Sequence, residues 1–215
     1  ARTREYVEIV RRVLAREAPV EFDGARYKLP RPGGTGFGKP LKSITHPLRA
    51  DLPIYLAAEG PKNVALSAEI ADGWLPMFYA PRSEGHYRAA MAEGFARPGA
   101  RRGADDFEVA CLVPVIIADD VEVAADFYRP MLALYVGGMG AREINFHNDV
   151  FARMGYEAEA TQIQDLYLDG KKAEAAAAVP TRMVEDVALI GSREKIRDDL
   201  AIWVKVVRQA GIKTE

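Results

Sequence analysis

Cysteine is nearly absent from this sequence, and histidine is scarce. Cys111 is the one cysteine among 215 residues, so no disulfide can form within the chain. A chain without a disulfide framework is typical of a reducing compartment, and we predict a cytoplasmic protein. His46, His86 and His147 are far apart, and none has a second ligand-type residue at metal-binding spacing. We therefore predict no metal site.

Long apolar runs and a strong charge of one sign are also missing. No run reaches the roughly 18 apolar residues that a membrane-spanning helix needs, so we expect no membrane partner. A net charge of −2 argues against a nucleic-acid surface. Hydrophobic residues make up 49% and charged residues 28%, which is ordinary for a globular protein large enough for one or two domains.

A hydroxyl side chain is missing from the stretch that most resembles a nucleotide-binding loop. Residues 33–39, GGTGFGK, satisfy the glycine and lysine positions of a P-loop. Pro40 stands where Ser or Thr would bind Mg²⁺, and no buried strand precedes the loop. We interpret the stretch as an ordinary Pro/Gly-rich loop.

Residues 53–81 have the pattern of a strand, a helix and a second strand. Residues 54–56 form a short β-prone run, and Gly60-Pro61 ends it and begins a helix. Asp72-Gly73 closes this helix, and residues 74–78 form the next strand. One helix face is apolar, formed by Val64, Ala65, Ala68 and Ala71. The stretch predicts a βαβ unit.

The first turn of that helix is the candidate binding site. The first N–H groups of a helix lack internal partners and carry a partial positive charge, which suits an anion such as phosphate. Gly60 would let a ligand approach the backbone, and Lys62 adds a full charge. An ordinary strand–helix turn remains the alternative. Glu59 is unusual beside a phosphate, so this carboxylate needs a partner or a function.

The remaining chain alternates helices with a few strands. We predict helices over residues 3–16 and 83–96, a hairpin over 20–29, and a buried strand over 107–117 that bends at Pro114. Residues 121–179 are mostly helical, with interruptions at Pro130, at 137–140 and at Gly155. A short extended piece at 188–190 precedes a helix that Ser192 caps and Gly211 ends. The order predicts an α/β fold with a parallel sheet of three firm strands.

Some side chains outside the turn allow two interpretations. The aromatic residues of the helical segment could line an apolar pocket or could simply pack in the core, and they are Phe127, Tyr128, Tyr135, Phe146 and Phe151. We favour core packing for them. Cys111 has no basic neighbour in the sequence and is predicted to be a small core residue.

Several long segments resemble one known family. PIYLAAEGPKNVALSAEIADGWLPMF is similar to the strand-5 to strand-6 region of the luciferase-like monooxygenase superfamily. It most resembles the branch that uses coenzyme F420, an 8-hydroxy-5-deazaflavin. The later segments YRPMLALYVGGMGAREINFHNDVFARMGYE, DLYLDGKKAEAAAAVP and VALIGSREKIRDDL are also similar to that branch.

This resemblance implies a (β/α)₈ TIM barrel with its cofactor at the C-terminal ends of the strands. It also implies an oxidoreductase that transfers a hydride between the deazaflavin and a small organic substrate. The turn that follows strand 5 in the superfamily takes the cofactor phosphate. Here that turn corresponds to Ala58, Glu59, Gly60, Pro61, Lys62 and Asn63.

The sequence departs from the family pattern because it contains only part of the barrel. Strands 1–4 and 8 have no counterpart in the pattern, so we expect residues 1–215 to form a partial barrel domain from a longer polypeptide, with a helical insertion at about 121–180. The segment after Gly211 stops where a strand would begin. No catalytic residue can be assigned, because the family places those residues mainly on the missing strands. Open barrel edges lead us to expect a homo-oligomer.

Two alternative functions remain open at this point. An FMN-dependent monooxygenase of the same superfamily would use the same phosphate turn. A non-catalytic interaction module would use the helical insertion as a contact face and would bind neither cofactor.

Overall fold

The computed structural model describes the backbone of residues 2–209 and side chains as far as Lys205. Its strands are β1 (Phe22–Asp23), β2 (Lys28–Leu29), β3 (Tyr55–Leu56), β4 (Gly73–Trp74), β5 (Glu108–Val109), β6 (Val115–Ile117) and β7 (Leu189–Gly191). Its helices are α1 (Arg2–Ala15), α2 (Pro61–Ile70), α3 (Glu84–Phe95), α4 (Val121–Ala133), α5 (Phe146–Phe151), α6 (Glu157–Leu168), α7 (Lys172–Ala177), α8 (Thr181–Glu185) and α9 (Arg193–Gln209). Two π-helical segments, Leu134–Gly138 and Ala152–Tyr156, flank α5, and a 3₁₀ turn, Pro81–Ser83, precedes α3.

The predicted βαβ unit is present. Strand β4 lies between β3 and β5, and both pairings are parallel. The second strand is shorter than predicted, since regular pairing ends at Trp74 and Pro76 has no N–H to continue the ladder. Helix α3 packs so closely on α2 that a Cβ at Gly94 would lie 2.1 Å from the carbonyl oxygen of Ala65.

Among the described residues five strands pair in parallel rather than three, and they form a three-stranded sheet, β3–β4–β5, and a two-stranded sheet, β6–β7. Residues 110–114, which include Pro114, belong to no strand and separate β5 from β6. The extended piece near residue 190 forms β7, which pairs with β6 in parallel register from Val115↔Leu189 to Ile117↔Gly191. The short extended piece predicted after the helical segment is therefore a paired strand.

The prediction that residues 107–117 form a buried strand is wrong. Their side chains alternate, and one set packs against the helices while the other faces outward. The outward apolar side chains retain large exposed fractions, 66% for Leu112, 56% for Val115 and 59% for Ile117. The described chain covers only the helix-facing side of this sheet, and for that reason the strand is half-exposed.

The long helical segment is more continuous than predicted. Helix α4 continues through Pro130, so the proline does not interrupt it. The predicted breaks near Gly137 and Gly155 coincide with the two π-helical segments, and Gly155 has a φ of 87°, which favours glycine. Helices α4–α8 enclose an apolar core that includes Leu132, Ile163 and Met183.

The first and last described helices contact the hairpin and the residues after β4 respectively. In α1, Glu5 accepts hydrogen bonds from the N–H groups of residues 25–27 and so holds the hairpin. Ser192 caps α9, accepting from Lys195 N at 3.3 Å, and Trp203 of α9 is buried beside Tyr79. The predicted helix end at Gly211 lies outside the described residues. None of the described helices combines the length and apolarity needed to cross a bilayer.

Candidate functional site

The turn between β3 and α2 has the geometry of an anion site. Helix α2 begins at Pro61, which has no N–H, and no acceptor in the described part of the chain contacts the N–H of Lys62. Gly60 has an extended backbone, with φ −83° and ψ 146°, so glycine is not required for its conformation. A Cβ built at Gly60 would meet no atom within 4 Å. The space beside this backbone is open to a ligand.

The six predicted site residues lie around this one turn but differ in exposure. Ala58 and Glu59 are buried, Gly60 is partly buried, and Pro61, Lys62 and Asn63 are exposed. The indole of Trp74 donates a hydrogen bond to the carbonyl oxygen of Ala58 at 2.7 Å, which attaches the turn to β4. The buried half of the turn is thus fixed, and the exposed half carries the positive charge.

Glu59 lies beneath the turn and has one unsatisfied oxygen. Only 8% of the residue is exposed, and its Oε1 accepts a hydrogen bond from Met77 N at 2.6 Å. Its Oε2 is buried and has no hydrogen-bond partner among the described residues. Burial raises the pKa of Glu59 from 4.5 to about 7, against the opposing N–H groups of Met77 and Phe78 and the charge of Arg153. The carboxyl is therefore about half protonated near neutral pH.

This raised pKa predicts a pH-dependent stability effect. The folded protein favours the protonated form of Glu59. The stability that this preference contributes is fully present below the unfolded pKa of the carboxyl and is lost as pH rises through about 7. Glu59→Gln should therefore stabilise the protein by about 2 kcal/mol at pH 8, after allowing for an unpaired amide, and by much less at pH 5. Urea unfolding of both proteins across this range measures the difference. Glu143→Gln, at an exposed glutamate, is the matched control. A pH-independent difference would contradict the assignment.

Arg153 also reaches this turn, a contact that the sequence analysis did not predict. Its Nη2 donates a hydrogen bond to the carbonyl oxygen of Glu59 at 3.1 Å, although the two residues are far apart in the chain. Arg153 belongs to the second π-helical segment and is exposed. No local pattern could have identified the contact, because it depends on how the helical segment folds over the strand ends.

Aromatic side chains of the helical segment pack against the residues that follow β4. The ring of Phe78 lies 5.4 Å from that of Tyr135 and 5.1 Å from that of Phe151, centroid to centroid. His147 is buried among Phe78, Tyr135 and Phe146, its Nδ1 lacks a partner in the described chain, and burial lowers its pKa. The segment therefore contacts the C-terminal ends of the strands.

The prediction of core packing holds for only some of the predicted aromatics. Tyr128 and Phe151 are buried in the core and Tyr135 is partly buried, as core packing predicts. Phe127 and Phe146 are exposed, at 74% and 54%.

The other singled-out residues lie away from the turn. His46 and His86 are exposed. Cys111 is only partly buried rather than a core residue, and burial raises the pKa of its thiol. Within residues 2–209, no three His, Cys, Asp or Glu side chains are grouped to hold a metal. A cleft of about 440 Å³ runs along the end of α1 near Arg12 and Pro19, and none of the six predicted residues lines it.

A comparison with known protein families identifies the chain. The model of the family described as luciferase-like monooxygenase matches residues 1–210. The chain belongs to the luciferase-like monooxygenase family. The resemblance predicted from the turn and from the helical segment is thereby confirmed.

Individual relatives of this luciferase-like chain are oxidoreductases. It is 54% identical over 205 residues to Rv3520c of Mycobacterium tuberculosis, which is provisionally named a coenzyme F420-dependent oxidoreductase, and the match covers 94% of this chain and 59% of the relative. It is 25% identical to 5,10-methylenetetrahydromethanopterin reductase of Archaeoglobus fulgidus, covering 98% and 58%. The chain thus spans less than two thirds of the length of these relatives.

A solved structure shows the same fold. The coenzyme F420-dependent tetrahydromethanopterin reductase of Methanopyrus kandleri superposes with a TM-score of 0.72 at 24% identity, over 95% of this chain and 54% of that one. The predicted fold class, an α/β fold of the TIM-barrel type, is therefore confirmed.

Proposed function

We propose that this luciferase-like chain is part of a coenzyme F420-dependent oxidoreductase that transfers a hydride between the deazaflavin and a small organic substrate. The observation that carries the proposal is the open first turn of α2, at the C-terminal end of a parallel strand. Ligands of α/β barrels bind at that end of the strands. The relatives named above use, or are assigned, the same cofactor.

The residues at the turn fit the phosphate of such a cofactor. The Lys62 N–H and the positive end of the α2 dipole are available to oxygen acceptors, and the side chain of Lys62 is exposed beside them. The open side of Gly60 admits a phosphate close to the backbone. We therefore propose that Ala58, Glu59, Gly60, Pro61, Lys62 and Asn63 form the phosphate-binding turn.

The protein's contribution to the reaction would be orientation and exclusion of water. The bound deazaflavin supplies the hydride chemistry at its C5. The Glu59–Met77 hydrogen bond joins the phosphate turn to the residues after β4, so the two strand ends keep a fixed spacing. The helical segment, which packs on Phe78, would shield this end of the strands from water.

We also propose a cytoplasmic homo-oligomer. The single cysteine supports a reducing compartment. The exposed apolar sheet face supports association, because parallel sheets are normally covered on both faces.

A binding titration tests the cofactor assignment. The full-length protein should bind coenzyme F420 and should show the absorption of a deazaflavin after binding. Preferential binding of FMN would favour the monooxygenase alternative. Failure to bind either cofactor would favour the interaction module and would refute the proposal.

Gly60→Val should weaken cofactor binding about tenfold or more without unfolding the protein. The extended backbone at Gly60 tolerates a β-branched residue, and the new side chain would occupy the space left for the phosphate. Equilibrium titration and thermal unfolding measure the two effects separately. Gly103→Val is the matched control, because a Cβ at Gly103 also meets open space but lies in a different loop. Unchanged affinity in Gly60→Val would rule out the turn as the phosphate site.

A further inference from the structure

Arg153 makes one hydrogen bond at the candidate phosphate turn, and its other N–H donors remain available. Its Nη2 donates to the carbonyl oxygen of Glu59, the residue before Gly60. No carboxylate in the described part of the chain lies within salt-bridge distance of its guanidinium, although most arginines of the helical segment have such a partner. An arginine has several N–H donors in a planar fork, and one hydrogen bond leaves most of them free.

The surroundings of Arg153 suit an anion better than they suit a salt bridge. The nearby carboxyl, Glu59, is buried, and its raised pKa reduces its negative charge near neutral pH. The turn already offers the Lys62 N–H and the Lys62 side chain. Two elements distant in sequence therefore present unused polar groups at one place.

We propose that Arg153 binds the cofactor phosphate, and so joins the helical segment to the bound cofactor. This inference rests on the proposed function of the turn. Guanidinium groups bind phosphate oxygens through paired N–H donors, which a lysine cannot reproduce. Phosphate binding would then also stabilise the contact between the second π-helical segment and the turn that follows β3.

A purely structural role for Arg153 makes a different prediction. If the arginine only attaches the helical segment to the Glu59 carbonyl, its loss should weaken every cofactor form equally. If it contacts the phosphate, its loss should affect only ligands that carry the phosphate. The phosphate-free deazaflavin nucleoside distinguishes these roles, because it keeps the ring and the polyol but lacks the anion.

The experiment compares affinities of the full-length protein for coenzyme F420 and for the phosphate-free nucleoside. Arg153→Gln should weaken binding of coenzyme F420 about 10- to 100-fold and binding of the nucleoside less than about twofold. Arg153→Lys should recover only part of the loss. Arg142→Gln is the matched control, because Arg142 lies on the same helical segment but is exposed and paired with Asp165. The control should leave both affinities unchanged.

The outcomes separate this inference from the proposed function. Equal losses for both ligands in Arg153→Gln, or no loss for either, would overturn the role of Arg153. Wild-type protein that binds the nucleoside as tightly as coenzyme F420 would overturn the phosphate turn itself and this inference with it. A preference for the phosphate form that Arg153→Gln preserves would overturn only the role of Arg153.

Discussion

Replacing Asp72 by alanine is expected to lower the free energy of unfolding by about 3–5 kcal/mol. Asp72 is 4% exposed and accepts hydrogen bonds from the backbone of Ile54 at 2.9 Å and from three arginines. Those arginines come from α1 and from the loop after α3, and they are Arg11, Arg101 and Arg102. Without the carboxylate, the Ile54 N–H loses its partner and three like charges remain close together.

The effect of Asp72 should depend on pH only in the acid range. Burial alone would raise its pKa, but the Ile54 N–H and the three guanidiniums outweigh burial and hold the pKa well below its usual range. A depressed pKa gives stability that is present above the unfolded value of about 3.9 and is lost as pH falls below it. The difference between wild type and Asp72→Ala should be constant from pH 5 to 8 and shrink toward pH 3.

Denaturant unfolding of the two proteins checks this expectation. Asp165→Ala is the matched control, because Asp165 also pairs with an arginine but is exposed, and we expect a change within about 0.5 kcal/mol. A loss of less than about 1 kcal/mol in Asp72→Ala would show that the arginines reorganise without cost.

The 215-residue chain is expected to self-associate when purified alone. The sheet face opposite the helices exposes Leu75, Leu112, Val115 and Ile117 with exposed fractions between 46% and 66%. At about 1.5–3 kcal/mol for burying one such side chain, covering the exposed halves of four gains roughly 3–6 kcal/mol. That is comparable to the roughly 5–15 kcal/mol stability of a whole domain. An uncovered face of this kind favours pairing with another copy.

Light scattering at several concentrations measures the association. Leu112→Ser combined with Ile117→Thr should weaken it, because both changes make the exposed strand face polar. The control combines Ile44→Ser with Leu48→Ser, which removes apolar side chains that are more than 90% exposed in a loop away from the sheet. A cooperatively unfolding monomer at all concentrations would show that the exposed sheet face does not drive association.

Local sequence patterns determined the secondary structure of the βαβ unit. Gly60-Pro61 marked the start of α2 because proline fixes its own φ and suits a first helical turn, whatever surrounds it. Asp72-Gly73 marked the end only approximately, since α2 ends at Ile70 and Gly73 lies in β4 without a positive φ. The predicted start of α2 agrees with the structure, and its end lies within a few residues. The same stretch also carried the resemblance that the family model confirmed. These properties follow from neighbours in the chain.

The tertiary structure alone decided which groups meet at the site and which face of the sheet is covered. The long apolar run at 107–117 could not reveal its half-exposure, because burial depends on what packs on each side of a strand. The raised pKa of Glu59 comes from the burial of its carboxyl, which only the packing around the turn produces. The contact of Arg153 with the turn joins residues 94 positions apart. Such contacts arise from the packing of whole elements, so a pattern of neighbouring residues cannot predict them.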